Sequence, residues 1–157
     1  MHVGKICARS VAVCSSGASA AEIARQMRDH QLAEVVVTEL RGGRTCPLGI
    51  VTEHDIVMHV VATGLDANRV CASELLTGPL ETVLDTELIY DAIWHMRGKR
   101  LRQLAVVDAH DGLLGVLRAD DVSEFLASEL IEVARIAPHR PEHDAPPPQP
   151  SHGHSAA

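Results

Sequence analysis

The amino-acid sequence predicts an α+β fold made of two tandem units, each with the element order β-α-β-β-α. Two observations support this prediction. The apolar residues of one amphipathic helix recur 69 positions later, and a segment running from glycine through two apolar residues to aspartate closes each half. The closing segments are GIVTEHD at residues 49–55 and GVLRADD at residues 115–121. An internal repeat of this kind indicates two copies of one supersecondary unit.

The first helix of each unit is predicted from apolar residues spaced i, i+3, i+4 and i+7, which fall on one face of a helix. These residues are Ala20, Ile23, Ala24 and Met27 in the first half, and Ile89, Ala92, Ile93 and Met96 in the second. A short lead-in precedes each unit, at residues 3–7 and 72–76. We therefore expect the same helix, buried by the same face, in both units.

Two strands and a closing helix follow each amphipathic helix. A continuous apolar run, at residues 35–37 or 104–107, predicts a buried strand, and a turn separates it from the second strand. From the glycine onward the offset is 66 rather than 69, so the second unit is three residues shorter in its hairpin. We expect the closing helices to begin at Thr52 and near Ala119. Their predicted core-facing residues are Ile56, His59 and Val60, matched by Val122, Phe125 and Leu126.

These elements divide the chain into residues 1–66 as the first repeat, residues 67–137 as the second, and residues 138–157 as a tail. The tail holds six of the eight prolines and four of the ten histidines, with no aliphatic residue larger than alanine. Such a segment cannot bury enough apolar surface to offset the entropy of ordering it. We therefore expect a disordered tail, and no metal site in it.

Composition and charge argue against several classes of function. The formal net charge is −7 and no sustained Lys/Arg stripe occurs, so we expect no nucleic-acid partner. No segment approaches the ~18 to 20 apolar residues of a membrane span, and MHVGKICARS lacks the apolar run of a secretory signal. The four cysteines show neither C-x-x-C nor zinc-ribbon spacing. We expect a cytoplasmic protein with reduced thiols and no membrane contact.

Motifs that indicate catalysis are absent from the sequence. There is no nucleophile elbow, phosphate loop or H-E-x-x-H, and His54 and His59 are five positions apart, which does not align them on one helical face. We therefore do not expect an enzyme or a metal site.

The repeated unit resembles the cystathionine beta-synthase (CBS) domain, which occurs as tandem pairs. The resemblance rests on the helix ending in Met, the Val-Val run after it, and Gly-h-h-Thr-x-x-Asp (h, apolar) opening the closing helix, and it covers residues 3–130. The chain is similar to the stand-alone bacterial type. The resemblance implies two repeats packed through their sheets as one pseudo-symmetric regulatory module. It also implies an adenosyl ligand in the cleft between repeats, with AMP, ADP or ATP favoured over NAD or S-adenosylmethionine.

Carried onto this chain, the family motif implies a nucleotide site in the first repeat. Thr52 would reach the ligand phosphate or ribose, and the carboxylate of Asp55 would accept hydrogen bonds from the ribose hydroxyls, with Ile50 and His54 beside them. A second interpretation remains open, because Thr-x-x-Asp at a helix start is a capping box that stabilises by roughly 1 kcal/mol without any ligand. The two interpretations are compatible, since a helix N-terminus also attracts phosphate.

The second repeat has Arg118 where the first has Thr52. Arginine has no acceptor oxygen and cannot cap a helix, whereas Asp121 keeps the carboxylate. Arg118 would either clamp a phosphate with its planar donors or fill the vacated space and close the second site. Arg102 occupies the position where family members often have a basic residue that reaches the phosphates of a nucleotide held mainly by the other repeat. The alternative is that Arg102 is an exposed, solvated charge with no ligand. We predict that the site with Thr52 and Asp55 is the better equipped.

Tyr90 and Trp94 lie four positions apart, on a face of the third long helix that the repeat core does not require. Aromatic residues on a second helical face indicate an interface, and the resemblance implies a homodimer. Packing under a terminal segment is the alternative. If the module binds a ligand, we expect an unidentified effector protein to recognise the ligand-bound form. The competing prediction for function is a ligand-free scaffold or protein-interaction module.

Overall fold

The computed structural model describes residues 1–136. The first unit contains β1 (Val13–Ser15), α1 (Ala20–His30), β2 (Glu34–Arg41), β3 (Arg44–Thr52) and α2 (Glu53–Ile56). The second unit contains β4 (Thr82–Leu84), α3 (Ile89–Lys99), β5 (Gln103–Val107), β6 (Leu113–Arg118) and α4 (Ala119–Ile136). The α+β class and the repeated β-α-β-β-α order are confirmed. The predicted tail at residues 138–157 lies outside the described residues.

Each unit holds one three-stranded sheet, and the two sheets have the same topology. The first strand pairs in parallel with the second, and the second pairs antiparallel with the third. The hairpin strands have 8 and 9 residues in the first unit but 5 and 6 in the second. A longer turn, held by the Asp108 carboxylate that accepts from the backbone N–H groups of His110 and Gly112, offsets half of this shortening. The predicted three-residue difference therefore arises in the hairpin.

Helices α1 and α3 bury the apolar face that the sequence predicts. Their buried residues are Ala20, Ile23 and Met27 in α1, and Ile89, Ala92 and Met96 in α3. Each helix ends at a residue of left-handed conformation, Gln31 or Arg100. Because a left-handed residue terminates a helix and redirects the chain, both units turn into their central strand at equivalent places.

Each lead-in packs into the core of the other unit. Val3 and Cys7 are buried with the apolar residues of the second unit, and the Val3 N–H donates to the carbonyl oxygen of Glu87 at 2.9 Å. Ala72 and Leu75, from the lead-in to the second unit, are buried in the core of the first. The division at residue 66 thus follows the sequence repeat, while the two cores interlock across it.

The closing helices begin where the sequence predicts and then differ. Thr52 is the N-cap of α2, which continues as a π-helical turn, Val57–Val61, whereas α4 extends over 18 residues. The predicted burial of His59 is wrong, because its side chain lies on the exposed side of the π-helical turn while Val60 is buried. This placement leaves the imidazole in water, where its polar atoms need no protein partner. No helix among residues 1–136 has the length and apolar character to cross a bilayer.

Candidate functional site

A cleft of about 960 Å³ lies between the two units, and equivalent segments of both units line it. The lining residues are 31–34 and 52–54 from the first unit, and 100–103 and 118–120 from the second. These segments correspond at the sequence offsets of 69 and 66 positions, so the cleft lies on the pseudo-two-fold axis of the module. Its two halves are therefore built from equivalent positions of the two repeats, and they differ in residue type at several of these.

In the first half of the cleft, Thr52 and Asp55 form a complete capping box. Asp55 Oδ2 accepts from the Thr52 backbone N–H at 2.8 Å and from Thr52 Oγ1 at 2.7 Å, and the Asp55 N–H donates to Thr52 Oγ1 at 3.2 Å. The capping interpretation is thus realised in the structure. Asp55 Oδ1 has no hydrogen-bond partner within residues 1–136, and both residues are partly exposed. One carboxylate oxygen therefore remains able to accept from a ligand.

Two arginines from the second unit enter the cleft without an ion-pair partner in the described part of the chain. Arg100 and Arg102 are exposed, and they follow α3 where the first unit has Gln31 and Ala33. Their backbone is fixed, since the Arg102 carbonyl oxygen accepts from the N–H of Ala119 at 2.8 Å. The second unit therefore supplies positive charge to the cleft that the first unit lacks.

Arg118 is held by an acidic residue of the first unit. Its Nε donates to Oε1 of Glu34 at 2.5 Å, with side-chain exposures of 32% for Arg118 and 12% for Glu34. Its backbone N–H donates to Oδ2 of Asp121 at 2.9 Å, so Asp121 keeps part of the cap that Asp55 provides in the first repeat. The Arg118 guanidinium thus makes a cross-unit ion pair, an arrangement that the sequence did not predict.

A smaller, mostly apolar pocket of about 250 Å³ adjoins the cleft where β3 of the first unit meets residues 76–81. Gly49 and Ile50, residues 76–81, Leu101 and Gln103 line it. Leu101 and Gln103 also line the main cleft, so the two cavities are neighbours.

Glu81, which lines this side pocket, is held in place by the side chains of Lys99 and His95. Its carboxylate accepts from Lys99 at 3.0 Å and from His95 at 2.8 Å. These hydrogen bonds, that of Lys99 foremost, hold the pKa of Glu81 below its ordinary value. Glu81 is therefore a fixed anion in the lining of the side pocket.

The equivalent space in the second unit is filled by the N-terminal lead-in. Ala8 and Val116 exchange two backbone hydrogen bonds, of 2.9 and 3.0 Å, and Val116 is fully buried. A Cβ at Gly115 would come within 2.4 Å of the Ala8 carbonyl oxygen, so the two backbones are in direct contact. Thr77, the counterpart of Ala8, is exposed and makes no such bridge to Ile50 within the described residues. The side pocket is therefore open in the first unit and occupied in the second.

The residues predicted to form the site fall into three groups. Thr52, His54, Arg102 and Arg118 line the main cleft, Ile50 lines the side pocket, and Asp55 and Asp121 stand behind the cleft in the first turns of their helices. Sequence reasoning missed Glu34. The signal was available, because the equivalent position in the second repeat is Gln103, but a single charge difference on a predicted strand did not indicate a partner. Residues 1–136 contain no cluster of three or more potential metal ligands.

Comparisons with known proteins agree with this architecture. A family model for the CBS domain matches residues 3–62 and 72–128. A protein of Methanopyrus kandleri, MK0525, is 32% identical over 122 residues, and the match covers 78% of this chain and 61% of that protein. The chain therefore spans about three fifths of the length of this relative.

Two solved structures have the same fold. The CBS domain protein PAE2072 from Pyrobaculum aerophilum, complexed with AMP, superposes with a TM-score of 0.71 at 27% identity, covering 86% of this chain and 99% of that one. The CBS domain pair of MJ0100, in complex with 5′-methylthioadenosine and S-adenosyl-L-methionine, gives a TM-score of 0.69 at 20% identity, covering 82% of this chain and 98% of that one.

Proposed function

The chain belongs to the CBS domain family, and we propose that it is a regulatory, non-catalytic module that binds an adenosyl nucleotide, AMP foremost, beside Thr52 and Asp55. One observation supports this most directly: a mostly apolar side pocket adjoins a cleft lined by Thr52 and by Arg100 and Arg102, two arginines without an ion-pair partner within residues 1–136. Behind Thr52, the Asp55 carboxylate keeps one oxygen without a hydrogen bond in the same part of the chain. An adenosyl nucleotide presents matching chemistry, namely a flat base, a diol and an anion. Ligand sites commonly combine an apolar lining with a few polar groups in this way.

The base would occupy the side pocket. The side chains of Leu76 and Leu101 form apolar walls of this pocket. Ile50 also lines it and lies on β3, the strand that continues to Thr52. The absence of a large side chain at Gly49 keeps this strand close to Leu76, whose Cδ2 atom would be 2.4 Å from a Cβ at that position. A flexible leucine can move where a backbone bridge cannot, so this pocket can admit a ring.

The ribose and phosphate would follow toward the pseudo-two-fold axis. Asp55 Oδ1 is the free acceptor for a ribose hydroxyl, and Arg102 or Arg100 would donate to the phosphate. A guanidinium suits phosphate, because its planar donors match two phosphate oxygens. AMP is the first candidate because the Pyrobaculum aerophilum protein, 27% identical, was solved with AMP. ADP, ATP, NAD and S-adenosylmethionine share the adenosyl group and are tested beside it.

The proposal includes one ligand per chain and a homodimer. One ligand follows from the closure of the second side pocket by Ala8.

The homodimer is supported by exposed apolar residues on the helices, where Tyr90 and Trp94 are 62% and 66% exposed. Further exposed apolar residues of this kind are Val57, Met58, Val61, Leu130, Ile131, Val133 and Ile136. A partner that covers them would remove this apolar area from water, and a change in dimer geometry would be the signal to an effector protein.

A ligand-free scaffold is the second candidate, and the capping box favours it. Thr52 is fully engaged with Asp55, so the motif already has a structural role without a ligand. The two functions differ in thermal shift. A ligand at 100 times its dissociation constant stabilises the folded protein by roughly 2.7 kcal/mol, whereas a scaffold shows no shift with any adenosyl compound.

Asp55→Ala tests the proposed site. We expect AMP affinity to fall by roughly 1.5 to 3 kcal/mol, the contribution of a hydrogen bond to a charged group, in calorimetric titration. Asp121→Ala is the matched control, because Asp121 accepts the equivalent backbone N–H in the other repeat, and we expect its AMP affinity to stay close to that of the unmodified protein. Equal losses in the two variants, or no loss at Asp55, would contradict the assignment.

Trp94→Arg tests the proposed dimer interface. Arginine is the residue at the equivalent position of the first repeat, Arg25, so the helix tolerates it. We expect weaker self-association in sedimentation, since a charge would replace an aromatic ring that now stacks under Arg97 at 5.3 Å and is otherwise exposed. An unchanged association constant would place the interface elsewhere.

A further inference from the structure

We propose that Glu34 limits the number of phosphates that the cleft accepts, by holding Arg118 in an ion pair that a longer phosphate chain would have to break. This inference rests on the nucleotide site proposed above. Glu34 is thereby a specificity-determining residue, which favours a nucleoside monophosphate over the corresponding di- and triphosphates.

Backbone pairing places this ion pair beside the proposed ribose site. Glu34 is the partner of Thr52 across the β2–β3 ladder, so its side chain starts next to the cap of α2. Arg118 ends β6 in the other unit and reaches across the pseudo-two-fold axis to donate to Glu34. A phosphate chain that extends from a ribose at Asp55 toward this axis, beyond a first phosphate held by Arg102, would therefore meet the carboxylate of Glu34 beside the paired Arg118.

The exposure of the two partners makes the pair costly to break. The side chain of Glu34 is 12% exposed, so it would keep its charge in a poorly solvated place if Arg118 turned to a phosphate. Removing one partner of such a pair leaves an uncompensated charge, which is strongly unfavourable, and here the new neighbour would also be an anion. Arg102 is exposed and has no ion-pair partner within residues 1–136, so it can bind a first phosphate without this loss.

The second repeat indicates that the fold does not need an acid at this position. Gln103 occupies the equivalent place on β5 and pairs with Arg118 along its own ladder, as Glu34 pairs with Thr52. Glutamine there preserves the strand and the lining of the cleft. Glu34→Gln is consequently a substitution that the architecture already accommodates, and it removes one charge with little change in shape.

The unmodified protein supplies the first test. Titration with adenosine, AMP, ADP and ATP, in the presence of a chelator so that the phosphates keep their full charge, is expected to give AMP the highest affinity and ATP an affinity at least roughly tenfold lower, the scale of one charge-assisted hydrogen bond. ATP affinity equal to or above that of AMP would overturn the inference and leave the nucleotide site standing. Absence of binding by all four compounds would overturn the inference, and absence of binding by NAD and S-adenosylmethionine as well would refute the proposed function.

Three variants assign the effect to the ion pair. Glu34→Gln is expected to raise ATP affinity relative to AMP by roughly tenfold and to leave adenosine affinity unchanged. Glu53→Gln is the control, because Glu53 is an exposed acid that lines the same cleft and makes no hydrogen bond or ion pair with Arg118 within residues 1–136; it should leave the ratio near its original value. Combining Glu34→Gln with Arg118→Thr, the residue at the equivalent position 52, should abolish the gain. Equal effects of the two glutamine variants, or a gain that persists without Arg118, would overturn the role of the pair.

Discussion

At the scale of single residues, the two glycines of the repeated motif perform different tasks in the same conformation. Neither has a positive φ, so each is required for close approach rather than for backbone freedom. At Gly49 the neighbour is the end of the flexible Leu76 side chain, whereas at Gly115 it is the carbonyl oxygen of Ala8. The same sequence motif therefore borders an adjustable pocket in one unit and a fixed backbone contact in the other.

Gly115→Ala is predicted to destabilise the protein more than Gly49→Ala. A Cβ at position 115 would lie 2.4 Å from the Ala8 carbonyl oxygen and would separate Ala8 from Val116, a form of overpacking that costs about 1 to 3 kcal/mol. At position 49 a rotation of Leu76 relieves the clash. Urea unfolding of both variants measures the difference, and a larger loss for Gly49→Ala would show that Leu76 is the less adjustable neighbour. Gly49→Ala should in addition weaken AMP binding, since the displaced leucine narrows the side pocket.

At the scale of elements, α1 and α3 have matching apolar faces but unequal N-terminal caps. Ser19 and Glu22 form a complete capping box at α1. The equivalent residues at α3 are Leu88 and Asp91, and Leu88 provides no side-chain hydrogen bond to the helix, although its backbone has the extended conformation of a cap. The burial of Ile89, Ala92 and Met96 is thus sufficient to form α3 without the cap, because tertiary packing contributes more to helix stability than local signals do.

Leu88→Ser is predicted to stabilise the protein by roughly 0.5 to 1 kcal/mol. Serine would accept from the backbone of the first turn, as Ser19 does, and Leu88 is 48% exposed, so little burial is lost. The midpoint of urea unfolding should rise without a change in slope. Leu88→Ala, which shortens the side chain without adding an acceptor, is the matched control; equal midpoints for the two variants would exclude a capping effect.

At the scale of the whole molecule, the exchanged lead-ins make the two repeats a single module. Val3 and Cys7 complete the core of the second unit, and Ala72 and Leu75 complete that of the first. Neither repeat, cut at the boundary read from the sequence, contains all the residues of its own core. The proposed nucleotide site would also need both repeats, because the carboxylate of Asp55 and the guanidinium of Arg102 come from different repeats.

A fragment of residues 1–66 is predicted to lack a cooperative unfolding transition, whereas a fragment of residues 10–76, of nearly equal length, is predicted to show one. The first fragment lacks Ala72 and Leu75 and exposes Val3 and Cys7, which have no core to enter; the second retains the elements and the lead-in that form the first core. Circular dichroism through a urea titration distinguishes them. Equally cooperative transitions would mean that the lead-in is dispensable for folding.

The sequence alone determined the repeated β-α-β-β-α order, the buried faces of α1 and α3 and the starts of both closing helices, because periodic apolar spacing and capping residues act over a few neighbouring positions. It also predicted the capping box of Thr52 and Asp55, since that property belongs to one short segment.

Only the tertiary structure decided which lead-in packs in which core, that Ala8 fills the second side pocket, that His59 faces solvent, and that Arg118 is paired with Glu34. These features join residues far apart in the chain, Glu34 and Arg118 by 84 positions. The packing of the two sheets and their lead-ins against each other determines such partners, and the local spacing of residues in the sequence does not indicate this packing.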